Sequence, residues 1–332
     1  MSMPSPVPLS ILDLAYIAPG ETPREAFANC VTFAQRAESL GYRRVWYAEH
    51  HNMGIIGSSA TSVLIAHVAA HTRTIRLGAG GIMLPNHSPL AIAEQFGTLE
   101  SLHPGRIDLG LGRAPGTDGT TSRALRVHPA ASDSFPRDVL ELQAFLGDES
   151  IVAGVEATPG KGTHVPLYIL GSSLFGARLA AQLGLPYAFA SHFAPASLED
   201  AVALYRREFR PSQQLSAPYV IAGINVVAAD TTALAESYLR KMQVSHVKLL
   251  LGRGAAWTDE QALAVLDSPS GHAIKSMSTY SAVGTRTDVH ATIDRFARHA
   301  NADELMVVHS APTIAARLRS LELLADRSVK AA

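Results

Sequence analysis

The chain contains a single cysteine, Cys30, which excludes an internal disulfide framework and any zinc site built on thiolates. Excess charge is missing as well. Lys and Arg number 28 against 29 Asp and Glu, a formal net charge of -1, so no basic surplus exists to neutralise the phosphates of a nucleic acid. No apolar run is long enough to cross a bilayer. The opening Met-Ser-Met-Pro-Ser-Pro-Val-Pro has neither the basic start nor the apolar centre of a signal peptide. A soluble cytoplasmic protein with no membrane partner is expected. Internal repeats and long low-complexity tracts are absent. So is a Gly-x-Gly-x-x-Gly turn after the first apolar run, which leaves an open dinucleotide-binding sheet without its signature.

What is present is an apolar composition of 47% over 332 residues, enough for one large α/β domain or two ordinary ones. Apolar, often β-branched runs alternate with helical patterns. Strands are expected at Leu9–Ala15, Arg44–Ala48, Thr74–Ile82, Arg106–Gly112, Leu167–Leu170, Tyr187–Ala190, Tyr219–Ala228 and Glu304–His309. Each is nearly continuous in apolar character, as strands covered on both faces are. About eight strand-then-helix units point to a closed (β/α)₈ TIM barrel, here a single domain over 1–332. Insertions are expected after strands four and seven, at about 114–134 and 252–287. Both fall on the strand C-terminal face, where such barrels build active sites. The helix at Ser59–His71 is rich in small residues, which suits either a homodimer contact or ordinary packing on the barrel.

The strand ends carry the candidates for chemistry. The first is Leu14-Ala15-Tyr16. The second, Trp46-Tyr47-Ala48-Glu49-His50-His51-Asn52, passes from a buried run straight into a carboxylate, two imidazoles and an amide. The third holds Gly78, Gly80 and Gly81, costly in a strand. These glycines allow a flat ligand to approach closely, an unusual backbone, or tight packing inside the barrel. After the fourth comes Arg113, at a place where a guanidinium suits a phosphate or carboxylate, with Arg123 in the following insertion. After the fifth, Gly171-Ser172-Ser173 turns directly into a helix, whose free N–H groups suit an anion; a plain Ser cap is the alternative. Glu49, His50 and His51 do not read as metal ligands, because neighbours on an extended segment point to opposite sides. Thr117, Thr120, Trp257, Met277 and Tyr280, from the two insertions, are expected to line a pocket of mixed polarity.

Assembled in order, these pieces resemble the bacterial luciferase-like flavin-dependent monooxygenases, and most of all their single-chain members. The resemblance rests on Trp46–His51, Leu77–Pro85, Gly105–Arg113, Gly171-Ser172-Ser173 and Ala302–Val307. It implies a barrel that binds reduced FMN at its strand C-terminal face. There the flavin would react with O₂ to form a hydroperoxide that oxidises a small organic substrate, a separate flavin reductase supplying the reduced cofactor. By the same resemblance Gly80-Gly81 forms a cis peptide beneath the flavin ring. Arg113, Arg123, Gly171, Ser172 and Ser173 hold its phosphate, Ala15 and Ser191 lie close to the cofactor, and His50 is the catalytic histidine with Glu49 orienting a partner. The 252–287 insertion would serve as a lid. The chain departs from luciferase at Gly112, where a reactive cysteine would stand, and this is expected to open space beside the flavin. Two other readings keep the barrel and the same site: hydride transfer with a deazaflavin, and flavin binding without turnover. A metal-dependent hydrolase on the same barrel is a fourth.

Overall fold

A computed structural model describes residues 7–114, 116–251 and 257–325; residues 252–256, at the start of the second expected insertion, lie outside the described residues. Strands and helices alternate in chain order. They run β1 (Leu9–Asp13), α1 (Pro23–Ser39), β2 (Arg44–Tyr47), α2 (Thr61–Ala69), β3 (Arg76–Met83), α3 (Pro89–Leu102), β4 (Ile107–Gly112), α4 (Gly119–Ala124), α5 (Phe135–Leu146), β5 (Leu167–Gly171) and α6 (Leu174–Leu183). There follow β6 (Tyr187–Phe189), α7 (Leu198–Glu208), β7 (Val220–Ala228), α8 (Thr232–Leu251), α9 (Asp259–Leu266), α10 (His272–Met277), β8 (Ser281–Gly284), α11 (Arg286–His299), β9 (Glu304–His309) and α12 (Ile314–Ala325).

All strand pairs in the sheet are parallel, and β1 to β7 followed by β9 close into a ring of eight, with β9 returning to β1. The eight expected strands are these eight. The ninth, β8, was not expected. Short β6 reaches β7 only at Val220–Ala222, the start of that strand, and β8 takes the same side of β7 further along, at Asn225–Ala228.

Side chains alternate across the barrel wall. Ile11, Val45, Leu77, Leu109 and Ile224 face the helices in one large buried core. Leu12, Trp46, Tyr168, Ala188, Ile221 and Met306 fill the inside. Two of the strand glycines leave room for close neighbours, Trp46 among them. A Cβ on Gly78 would lie 2.9 Å from Trp46 Nε1 and 2.5 Å from the Asp108 carbonyl. One on Gly80 would lie 2.7 Å from Leu12 and 2.9 Å from Trp46 Cβ. Of the readings open for these glycines, tight packing inside the barrel therefore accounts for Gly78 and contributes at Gly80. The Gly80-Gly81 bond is also cis.

Below Trp46, at the strand N-terminal end, the interior holds charge. Arg44, 1% exposed, ion-pairs with Asp108 at 2.7 Å and Glu304 at 2.9 Å, both carboxylates fully buried. Ser10, Tyr219, Trp46 and Arg76 donate to those same carboxylates.

The β4–α5 connection holds α4 and a short 3₁₀ turn. Beyond α8, helices α9 and α10 pack on it through Val244, Val247, Ala262, Leu266 and Ile274, a small core of their own. Trp257 and Met277 join that core, and Tyr280 packs against Phe296 and His299 of α11. These three contacts stabilise the insertion and its join to the wall.

Candidate active site

The second strand turns at its end because of one carboxylate. Glu49, 1% exposed, accepts hydrogen bonds from the Met83 N–H at 2.9 Å, Asn86 Nδ2 at 3.0 Å, His87 Nε2 at 2.9 Å and His51 Nε2 at 2.9 Å. Burial pushes its carboxyl up, but these donors, His87 foremost, hold it below the ordinary carboxylate range. Glu49 thus ties the end of β2 to the turn after β3 and has no free face for proton transfer. His51 turns inward to it, and His50 turns the other way.

His50 Nδ1 lies 3.3 Å from the Gly116 carbonyl. A carbonyl only accepts, so the ring proton sits on Nδ1 and the Nε2 lone pair is left open. Burial pulls the imidazole below its ordinary value, further than the Gly116 carbonyl and the Glu49 charge raise it. At neutral pH His50 is a neutral base. Gly116 is backbone-restricted in turn: at φ +64°, a Cβ there would lie 2.9 Å from the Glu49 carbonyl.

Across the mouth stands a histidine the sequence reading passed over. His192 follows the end of β6, its Nδ1 is buried without a partner, and a Cβ on Gly223 would run into it. Burial, with the charges of His246 and His50, pushes His192 down to about 4. His246 of α8 is likewise lowered by burial, its Nδ1 also unpartnered. Strand-end position was the signal for His192; nothing in the helical pattern singled out His246.

The anion-binding candidates divide. Arg113 sets its guanidinium 4.1 Å above the ring of Phe175, in the first turn of α6, and makes no ion pair among the described residues. That brings it to the Gly171-Ser172-Ser173 bend. Ser172 and Ser173 are exposed, and Ser173, though at the cap position, makes no capping bond. The plain Ser-cap alternative therefore fails, and the first N–H groups of α6 stay available. Arg123 instead reaches Thr120 of its own helix at 3.2 Å. Ser191 is buried and commits its proton to the Gly223 carbonyl at 2.6 Å. Ala15, at φ +51°, has its N–H on Asp13 and its carbonyl on Gly57, so it offers shape rather than bonds. Gly112 does not open space as expected: a Cβ there would lie 2.9 Å from Met83 Sδ, and the Met83 side chain occupies the room. Thr117 donates to the His51 carbonyl at 3.0 Å. Among the described residues no three of His, Cys, Asp or Glu form a metal-holding group, and no helix is long and apolar enough to cross a membrane.

Known proteins resemble this chain in sequence and fold. The family model described as luciferase-like monooxygenase matches residues 7–324. A luciferase-like monooxygenase of Escherichia coli (strain K12) is 49% identical over 323 residues, 96% of each chain. The N-acetyl-S-alkylcysteine monooxygenase of Bacillus subtilis (strain 168) is 32% identical over 327 residues, covering 96% of this chain and 97% of its own. Among solved structures, apo-MsnO8 is 34% identical with a TM-score of 0.87, covering 96% of this chain and 98% of its own. More distant structures share the fold alone. They include the oxygenating constituent of 3,6-diketocamphane monooxygenase in complex with FMN (TM-score 0.69, 18% identical, 97% of each chain). An F420-dependent secondary alcohol dehydrogenase is another (TM-score 0.68, 17% identical, 97% of this chain and 100% of its own). The chain is an oxidoreductase that belongs to the luciferase-like monooxygenase family.

Proposed function

We propose that this chain oxidises a small organic molecule with O₂, using reduced FMN supplied by a separate flavin reductase, as one domain acting in the cytoplasm. The observation that carries this reading is the pairing of two features on one barrel mouth: a donor-rich anion grip beside Phe175, and an imidazole with an open Nε2. The grip fits the cofactor. Arg113, the Ser172 and Ser173 hydroxyls and the uncapped first turn of α6 each offer a donor and carry no negative charge, which suits a phosphate dianion. Reduced FMN, when bound, supplies the electrons that activate O₂.

The chain's own residues do the rest. Gly80 and Gly81 offer bare backbone beneath the ring, and Ala15 and Ser191 border it. Arg123, on a separate helix, contributes less to the phosphate than Arg113. His50 Nε2 takes or returns a proton at the substrate, its neutral state set by burial. Glu49 is a positioning residue, fixing the backbone on which His50 rides. Leu14, Leu170 and Val308, above the interior apolar cluster, keep water from the reacting atoms. Helices α9 and α10 form a cover over this face. A second copy docks on α2, where Val63 is 67% exposed.

Two measurements test the reading. Titration with FMN, riboflavin and a deazaflavin should show FMN bound more tightly than riboflavin and than the deazaflavin; a preference for the deazaflavin would move the assignment to hydride transfer. Turnover with a reductase under ¹⁸O₂, across a panel that includes N-acetyl-S-alkylcysteines, should place one labelled oxygen in a product. FMN binding with equal, unlabelled turnover in wild type and His50→Ala would leave a flavin-binding protein.

A further inference from the structure

Three buried polar atoms without partners gather around the upper half of β7: Nδ1 of His192, Nδ1 of His246 and the Ser281 hydroxyl. Gly223 faces the barrel interior, in step with Ile221 two residues before it. The room left by its missing side chain is taken by His192, whose Nδ1 lies 2.4 Å from where a Cβ would stand. Asn225, the next inward residue, donates from Nδ2 to the His192 carbonyl at 2.6 Å, and the Ser191 hydroxyl donates to the Gly223 carbonyl at 2.6 Å. His192 is thus stapled to β7 from both sides, and the Phe193 ring meets it edge-on, 5.2 Å between centroids.

Strand β8 sets Ser281 beside that same Asn225. Residues paired across neighbouring strands share a face of the sheet, so Ser281 takes the inward side with Asn225. Helix α8 packs over β7 and β8. It brings up His246, near enough for its charge to act on His192.

Resting on the flavin reading above, we propose that His192, Ser281 and His246 form the substrate-recognising wall of the active site, and that they select a molecule with an uncharged amide-like head, a hydrogen-bond acceptor beside a donor.

Tautomer and charge both point to that head. His192 Nδ1 has no acceptor in reach, and an orphaned buried N–H is rarer than an under-used lone pair. The ring proton therefore sits on Nε2. His192 offers a donor where His50, bonded through Nδ1, offers a lone pair. Burial holds both wall imidazoles below their ordinary values, His192 at about 4, so neither is charged at neutral pH. The wall then has no ionic pull on a carboxylate, and with no acid among its three members it has none on an ammonium. Ser281 can give a proton or take one, which completes a surface that reads both partners of an amide. A site built this way rejects an analogue that leaves its polar groups unbonded.

The experiment titrates benzamide, benzoate and benzamidinium, probes of one shape and different charge, into the protein without and with FMN. The histidine ring nitrogens are followed by ¹⁵N NMR, assigned through His192→Gln and His246→Gln. Before any probe is added, His192 should be protonated on Nε2 and bare on Nδ1, the reverse of His50. Benzamide should bind saturably, about tenfold or more tighter than either ion, and shift the His192 and His246 resonances. His192→Phe should weaken benzamide about tenfold, whereas His192→Gln, which keeps an N–H donor, and Ser281→Ala should each cost about threefold. Tightest binding of benzoate or benzamidinium would overturn the proposal. So would no saturable binding, equal benzamide affinity in wild type and all three variants, or a proton on His192 Nδ1. The order of the three probes is read on wild type, so a misfolded His192→Phe does not blunt the test. FMN left unbound while benzamide binds would fell the flavin reading and leave the wall standing; FMN bound with the wall histidines silent to benzamide would do the opposite.

Discussion

The two ends of the barrel use polar residues in opposite ways. At the strand N-terminal end, Arg44 meets Asp108 and Glu304, and Ser10, Tyr219, Trp46 and Arg76 complete the bonding of those carboxylates. At the other end, His192 and His246 keep buried nitrogens without partners, His50 keeps an open Nε2, and Arg113 rests on a ring instead of an acid. A buried polar group left unbonded costs stability. Where charge is fully paired the barrel is being held shut; where donors and bases are left waiting it is prepared for a ligand.

That contrast is open to attack in several ways. Asp108→Asn should strike the closed end hardest, because one partner of a buried ion pair is left uncompensated. About 3–5 kcal/mol of unfolding free energy should be lost, read by urea denaturation. A loss under 1 kcal/mol would mean the network is decoration. His50→Ala, at the open end, should do the reverse. Turnover should fall about 10²- to 10³-fold while the denaturation midpoint stays put, and a shifted midpoint would make His50 structural.

Acid should loosen the open end first. Folded His192 resists protonation down to about 4, against an ordinary value of 6.5, so the folded state binds fewer protons than the unfolded chain in that window. Stability is intact above pH 6.5 and falls as pH drops toward 4, by about 2 kcal/mol for this imidazole by roughly pH 5. Denaturation curves for wild type and His192→Phe should converge in slope above pH 7 and part below it. Parallel curves would show that His192 titrates normally. The smallest effect sharpens the open end itself. Arg113→Ala should weaken FMN by about tenfold, near the value of one charge-assisted bond, and riboflavin hardly at all. Arg123→Ala should change neither by more than about twofold; equal losses would put both arginines on the phosphate.

The sequence makes the ring visible because each of its strands is buried on both faces and reads as an unbroken apolar run. Strand β8 escapes that test. Ser281–Gly284 is four residues long, alternates in burial and pairs only with the upper part of β7, so it looks like a piece of insertion. The site was legible where a strand ends in unlike residues, as at Glu49-His50 and at the Gly171-Ser172-Ser173 bend. His192 occupies such a position too, but beside Ser191 it carried no contrast. The bonds of Glu49 to Asn86 and His87 join segments 37 and 38 residues apart, and no local pattern encodes that. The closed end was hidden for a related reason. Arg44 at the first position of a strand looks like a solvated residue until the barrel closes around it.

Strand β7 is the longest of the nine, and its far half serves as an anchorage. The chain leaves it into α8, wanders through α9 and α10, and comes back as β8 clipped to the strand it departed from. A detour whose entry and exit share one post can change in length or content without the ring being reopened. Related barrels could therefore acquire new substrates by exchanging that detour alone, keeping the wall, the grip and the base as they are.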